Sequence, residues 1–307
     1  VHPRNYSHIP RRKYIERQPG AQNLAGLEVL LHLDSFCLGD TVCLASCLPD
    51  FVRHHRPKKL WVTTFWPELF DQAAEFEILD AVSASAEPLE CDKLVLAGYR
   101  KQSLTHTTRG MFYAARDSMG LPEAPPGAAP TRPLLRRPIS GTYQPNKIVI
   151  APESTKQIAR WDYLGIDIYG WQAVVDNLVQ RGYEVHDISY EHTLMLRGVT
   201  KHGGDADIQS AVQHLCEARL FIGLSSGLAW LAWAHVIPVV MIAGFTKPQN
   251  EFPCYRVENP YACSGCFNVF PNIQRACPLF QGTPREHECH RTITPAMVLA
   301  QVDRALV

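Results

Sequence analysis

The sequence predicts an α/β protein of two lobes, each built on a parallel sheet, followed by a small cysteine-bearing segment. Three observations carry that expectation. Continuous apolar runs alternate with helix-periodic stretches along most of the chain, the pattern of strands buried on both faces and joined by crossover helices. A stretch dense in Pro and Gly, 121–145, interrupts the alternation near the middle of the 307 residues, and neither a helix nor an interior strand tolerates such a run. Past residue 252 the apolar runs give way to a polar stretch in which Cys263, Cys266, Cys277 and Cys289 are spaced apart. The domains drawn from this are residues 1–140, 141–252 and 253–307, the last carrying the cysteines and a C-terminal helix.

Taken in order, LEVLLHL (27–33) reads as the first buried strand, DSFCLGDT as the loop after it, and ASCLPDFVRHH (45–55) as a helix. KLWVTTF (59–65), FEILDAV (76–82) and KLVLAG (93–98) continue as strands. After the linker, KIVIA (147–151) restarts the alternation. GWQAVVDNLVQRG (170–182) has helical spacing and ends on Gly182, a residue suited to a C-terminal cap. YEVHDIS (183–189) is a strand, DIQSAVQHLCEA (207–218) a helix and RLFIGL (219–224) a strand. SSGLAWLAWAHV (225–236) is a helix and PVVMIAG (238–244) a strand.

Composition narrows the function. Hydrophobic residues make up 46% and charged residues 20%, as in a globular enzyme. Lys+Arg and Asp+Glu balance at 30 each, which gives no reason to expect nucleic acid or an anionic membrane as partner. No apolar run reaches the ~18–20 residues that span a bilayer. The first twenty residues are basic without an apolar segment, so the expectation is a cytoplasmic protein.

Cys37, Cys43, Cys47, Cys91 and Cys216 lie among apolar residues and read as small buried hydrophobes. Cys263, Cys266, Cys277 and Cys289 stand apart, at spacing C-x2-C-x10-C-x11-C in a Pro- and Asn-rich stretch. A reducing compartment disfavours disulfides there and leaves a metal as the better account. Four thiolates form a closed tetrahedral shell for zinc or a single iron, and His290 is a possible substitute ligand.

The other chemistry-bearing residues fall at strand ends. Ser225-Ser226-Gly227 open a helix directly after a strand, where unpaired N–H groups and the helix dipole favour an anion; a plain cap is the bland alternative. Asp40, in the loop after the first strand, reads either as a general base or as a cap for a helix starting near Thr41. Ser154-Thr155 with Lys156 and Arg160 form a polar loop whose cations could meet a phosphate. Lys247 stands at a further strand edge, and Glu251 could hold sugar or ribose hydroxyls. Trp230 and Trp233 read as core, and His235 as a cap for carbonyls at its helix end.

Two α/β lobes on a Pro-rich linker are the layout of GT-B glycosyltransferases, and also of periplasmic binding proteins, which carry a secretory signal. The first twenty residues show no such signal, which favours the glycosyltransferase layout. The runs SSGLAWLAWA, PVVMIAGFTKPQNEF and YRVENPYACSGCFN carry a resemblance. With CLGDT (37–41) and APESTKQIARWDY (151–163), they resemble the bacterial autotransporter heptosyltransferases, relatives of the lipopolysaccharide heptosyltransferases. The resemblance runs from about residue 27 to the end. It implies a GT-B fold, ADP-heptose as donor, and inverting transfer to a protein Ser/Thr or to a small molecule. It favours Asp40 as base, with Lys156 and Arg160 neutralising the leaving diphosphate. Gly39, Thr41, Ser154, Thr155, Ser225, Ser226, Gly227 and Lys247 then bind the donor, and iron, with zinc as alternative, occupies the four cysteines. A homo-oligomer is among the expected partners. The reading from a different class is a non-catalytic nucleotide-sugar-binding or scaffold protein that uses the cysteine segment for interaction.

Overall fold

The computed structural model describes residues 23–71, 75–81, 91–99, 109–138, 141–154, 161, 169–190, 194–202, 207–267 and 277–307. The chain divides into two compact units, with the break between Arg136 and Arg137, inside the Pro-rich stretch. Residues 253–307 belong to the second unit.

In the first unit, β1 (Glu28–Leu33), β2 (Lys59–Thr64), β3 (Glu77–Asp80) and β4 (Lys93–Ala97) form a sheet in the order β3-β2-β1-β4. All its pairings are parallel. Crossover residues shape two helices between β1 and β2, where the sequence predicts one. α1 (Leu38–Ala45) starts earlier than expected, and α2 (Leu48–His55) follows a break at Ser46-Cys47. Pro49 explains the break, because it lacks an N–H and is tolerated only in a first turn. α3 (Met111–Ser118) follows β4.

The second unit holds β5 (Gln144–Ala151), β6 (Glu184–Asp187), β7 (Val199–Lys201), β8 (Ala218–Leu224), β9 (Val239–Ile242) and β10 (Tyr255–Val257). Their order is β10-β9-β8-β5-β6-β7, again parallel throughout. α4 (Tyr169–Gln180) and α8 (Pro295–Leu306) share one apolar core with the sheet, in which Val174, Val175, Leu178, Val298 and Val302 meet Ile148, Ile150, Val185 and Ile222. α5 (Ile208–Glu217), α6 (Gly227–Ala234) and the short α7 (Glu288–Arg291) complete the described helices. No helix among the described residues is long and apolar enough to cross a membrane.

Trp161 of the APESTKQIARWDY run is core. Its ring lies edge-on to Trp171, and its Nε1 donates to the Ile293 carbonyl at 3.0 Å. Trp230 and Trp233 are also buried, 5.7 Å apart, and both rest on Phe252. His235 is the C-cap of α6, its backbone N–H donating to the Leu231 carbonyl, while its side-chain Nε2 is buried without a hydrogen bond and burial pushes its pKa down to about 4. The residue after it, Val236, is exposed and held at φ 70°. A β-branched side chain is strained there, at the position after a helix where Gly is favoured. Val236→Gly is therefore expected to stabilise the protein by about 1 kcal/mol, seen as a melting temperature higher by roughly 2–4 °C.

Candidate active site and metal centre

Parallel strands end on one edge, and the loops that leave it diverge where the strand order reverses, opening a crevice. In the first unit the reversal lies between β1 and β4. The loop after β1 runs through Asp34, Ser35 and Phe36 to Cys37, the residue that begins α1. Gly98, after β4, lies so close that a Cβ there would sit 3.2 Å from the Asp34 carbonyl. Asp40 occupies the third position of α1, so its carboxylate lies at the positive end of the helix. It is not the cap, since Cys37 takes that place. Ser35 Oγ donates to Asp40 Oδ2 at 3.0 Å and accepts from the Cys37 N–H at 3.1 Å. The Tyr99 hydroxyl and the Cys43 thiol are buried beside Asp40; burial first, then neighbouring negative charge including Asp40's, pushes both their pKa values well up. Asp40 thus has neutral neighbours there.

Two expectations change here. Thr41 is fully buried and its hydroxyl donates to the Ser35 and Cys37 carbonyls, at 3.3 and 3.1 Å. It shapes the loop rather than facing a ligand. Cys37 is exposed, while Cys43 and Cys47 are buried and Cys91 and Cys216 half-buried.

In the second unit the order reverses between β5 and β8. Ser154 follows β5 and Ser225-Ser226 follow β8, so both lie at this switch point. Ser226 caps α6 in an extended conformation without using its side chain, and its Oγ is buried with no hydrogen-bond partner. The first turn of α6 leaves N–H groups that the helix itself cannot pair. Ser225 sits beside the carboxylate of Glu251. That carboxylate is buried and bonded to Thr246 Oγ1 and to Arg256, whose guanidinium also holds the Ala243 and Thr246 carbonyls and Glu258. Glu251 is thereby a strut for the loops after β8 and β9, and both its oxygens are engaged, contrary to the expected contact with sugar or ribose. Burial pushes its pKa up despite Arg256. Thr155, Lys156 and Arg160 lie outside the described residues.

The cysteine segment is docked onto the same edge. Cys263, Cys266, Cys277 and Cys289 line one small cavity together with His287. Burial and the neighbouring thiols push Cys266 to about 11 and Cys289 to about 12. A cation among them would reverse that, because thiolates are then stabilised by its charge. The donor set fits a closed soft-metal site, although the four sulfurs stand around the cavity rather than within 4.8 Å of one another. His290, expected as a spare ligand, packs instead on Phe245, 5.8 Å between ring centres. His287 is the histidine that lines the cavity. Glu288 clasps the segment, accepting from the Cys263 N–H at 2.9 Å and pairing with Arg285. Gly244 lies against the Cys289 backbone, where a Cβ would come within 2.2 Å of its carbonyl oxygen. Gly265, at φ 80° between Cys263 and Cys266, lies under the exposed Lys247 side chain, whose Cε would be 2.2 Å from a Cβ there. The segment therefore braces the turn that carries Lys247.

One cluster had no signal in the sequence. His186 on β6, His202 after β7 and His214 on α5 bring one ring nitrogen each to within 4.8 Å of the others. Their separations of 16 and 12 residues match no ligand motif.

Sequence comparison adds relatives. The chain is 36% identical over 180 residues to the autotransporter heptosyltransferase Aah of Escherichia coli, an overlap of 54% of this chain and 45% of Aah. The chain is a homologue of the autotransporter heptosyltransferases. It spans about half the length of the curated relatives it matches. Another homologue, BimC of Burkholderia thailandensis, is described as an inactive autotransporter heptosyltransferase and is 34% identical over 185 residues, 55% of this chain and 42% of BimC. Among solved structures, TibC of enterotoxigenic E. coli H10407, an iron-containing dodecameric glycosyltransferase, superposes with a TM-score of 0.76 at 28% identity, covering 92% of this chain and 77% of TibC. Its complex with ADP-D-beta-D-heptose gives 0.77 at 27%, covering 93% and 79%. No family model matches the sequence.

Proposed function

We propose that this chain is an ADP-heptose-dependent heptosyltransferase of the GT-B type. The observation that supports it most is the β5/β8 switch point. A diphosphate set there meets the first-turn N–H groups of α6, the positive end of that helix and the unpaired Ser226 hydroxyl. Likeness to a protein solved with ADP-heptose supports the choice of donor. In the reaction, the bond from the anomeric carbon to the diphosphate oxygen breaks and its electron pair leaves on ADP. The acceptor oxygen forms the new bond from the opposite face and gives its proton to Asp40. In this reading Ser154, Thr155 and Lys247 bind the donor, and Lys156 and Arg160 neutralise the charge that develops on the leaving diphosphate. Gly39 lets the Asp40 turn approach substrate closely.

Cys263, Cys266, Cys277 and Cys289 would hold iron, or zinc in its place. A closed thiolate shell supplies a cross-link and no open catalytic position. The acceptor is a protein Ser/Thr or a small molecule with a hydroxyl, the protein assembles as a homo-oligomer, and it works in the cytoplasm, where thiols stay reduced.

The test is mass spectrometry of the purified protein with ADP-heptose, with and without candidate acceptors. ADP release and a heptose increment on an acceptor are expected. In parallel, Gly227→Val should weaken ADP binding in calorimetry by crowding the phosphates; unchanged affinity would overturn the donor site. The inactive relative favours a second reading, a binding protein without turnover. Tight ADP-heptose binding with no product in a single-turnover assay would select it.

The metal reading makes its own prediction. Elemental analysis should find about one iron or zinc per chain, four cysteines being one tetrahedral shell. Cys266→Ser should lower solubility and melting temperature more than turnover per folded molecule. A metal-free protein with an unchanged melting curve would end this assignment.

A further inference from the structure

The three-histidine cluster of the second unit shares no residue with the four-cysteine site or with the proposed reaction. The sheet explains how it forms. Alternate residues of a strand share a face, and Ile148, Ile150 and Val185 fill the core on the side of α4 and α8. Lys147 and His186 therefore point to the opposite side. His186 pairs with Thr200 of the edge strand β7, and His202, two residues on, returns to the same face. His214 comes down from α5. His186 and His202 lie edge to edge and nearly coplanar, 5.0 Å between centres and 5° between planes, and His214 lies 3.9 Å from His202 with its ring tilted by 32°.

The charges around the cluster are paired. Lys147, on β5 and buried, donates to Glu217 Oε2 at 2.6 Å and lies 3.1 Å from His214 Nδ1. On β6, Glu184 stands 3.9 Å from His186 Nε2. Burial, with the charge of Lys147 and of neighbouring rings, lowers the pKa of His186 and takes that of His214 to about 4. The His186 and His214 rings are thus neutral at physiological pH, each with one nitrogen lone pair. His186 Nδ1 and His202 Nε2 share a single hydrogen bond at 2.8 Å, which only one lone pair can accept.

We propose that His186, His202 and His214 form a second metal site, which takes a late first-row divalent cation such as Zn2+, Ni2+ or Co2+. Imidazole nitrogens suit these ions. Metal–nitrogen bonds of about 2.0–2.1 Å need nitrogens about 3.3 Å apart in a tetrahedron, a small adjustment of the cluster. Glu184 and Glu217 each stand 3.9 Å from a ring nitrogen, His186 Nε2 and His214 Nδ1, and place negative charge beside the ligating rings. Three protein ligands leave a fourth position for water. A bound cation ties the edge strand β7 to β6 and α5, and β6 leads directly to Asp187 and Ser189, whose hydroxyl accepts from the Glu153 N–H beside Ser154.

The test is titration of the protein as purified with Co2+, followed optically. Cobalt on thiolates gives an intense near-ultraviolet charge-transfer band, whereas cobalt on three imidazoles gives weak visible bands alone, so the two centres are told apart in one spectrum. The expected result is about one equivalent of the imidazole species, retained in Cys266→Ser and lost in His186→Gln, His202→Gln and His214→Gln. Zn2+ at a hundredfold excess over its Kd should raise the melting temperature by roughly 5–10 °C in the unaltered protein and not in these variants. Should one variant fail to fold, the other two and the unaltered protein's spectrum still decide. Absence of the imidazole species in the unaltered protein, or its persistence in the folded histidine variants, would overturn the site and leave a hydrogen-bonded cluster of rings.

Discussion

Asp40→Asn is expected to lower the single-turnover rate with saturating ADP-heptose by roughly 10²–10⁴, the usual worth of a positioned base. Donor affinity should hold, because the proposed phosphate contacts lie in the second unit. The melting curve should move little. Asp40 is not the cap of α1, and Asn still accepts from Ser35 Oγ at its carbonyl oxygen. What Asn loses structurally is a negative charge in the first turn of a helix, worth about 0.3–1 kcal/mol. A rate loss without a matching loss of stability is therefore the signature of the base. Normal turnover would remove Asp40 from the mechanism and direct attention to Asp34, in the same loop.

Arg256→Leu should destabilise the protein by about 3–5 kcal/mol, the range for removing one partner of a buried ion pair. Glu251 is 7% exposed, and the lost guanidinium also holds the Ala243 and Thr246 carbonyls. The effect should depend on pH with a definite sign. Burial already raises the Glu251 pKa, and without Arg256 it rises further. Between its unfolded and folded values the folded state holds a proton that the unfolded state lacks, so stability is present at low pH and falls as pH rises through that window. The variant should be less destabilised at about pH 5 than at about pH 8, just above and well above an unfolded glutamate's pKa of ~4.3. Denaturant melts at the two pH values read this directly. Replacing Glu251 by Leu as well should recover much of the loss, as it leaves no unpaired buried charge. A flat pH profile for Arg256→Leu would mean that water reaches Glu251.

Much of the fold was legible because its signals are local. Continuous apolar runs marked β1, β2, β5, β8 and β9 to within a few residues. Gly182 sits at φ 85° after α4, and Asp207 caps α5 by accepting from the Ser210 N–H. Short elements escaped. β7 and β10 are three residues each, too brief for a period to register, and both are edge strands defined by the neighbour they pair with. The extent of α1 was also missed, since its first turn carries Gly39 and Asp40, residues that read as loop.

By itself the sequence determined the α/β alternation, the break in the Pro-rich stretch and the gathering of cysteines at the end of the chain. These follow from which residues can be buried, extended or turned over a few positions. Only the tertiary structure decided what the polar side chains do. It turned the Thr41 hydroxyl onto backbone, set Ser225 beside Glu251 while leaving Ser226 open, and put His287 rather than His290 at the cysteines. It also brought together three histidines, from β6, from just past β7 and from α5. The direction of a side chain at a strand end or helix start depends on the register and packing of the neighbouring elements. Spacing along the chain does not carry that information.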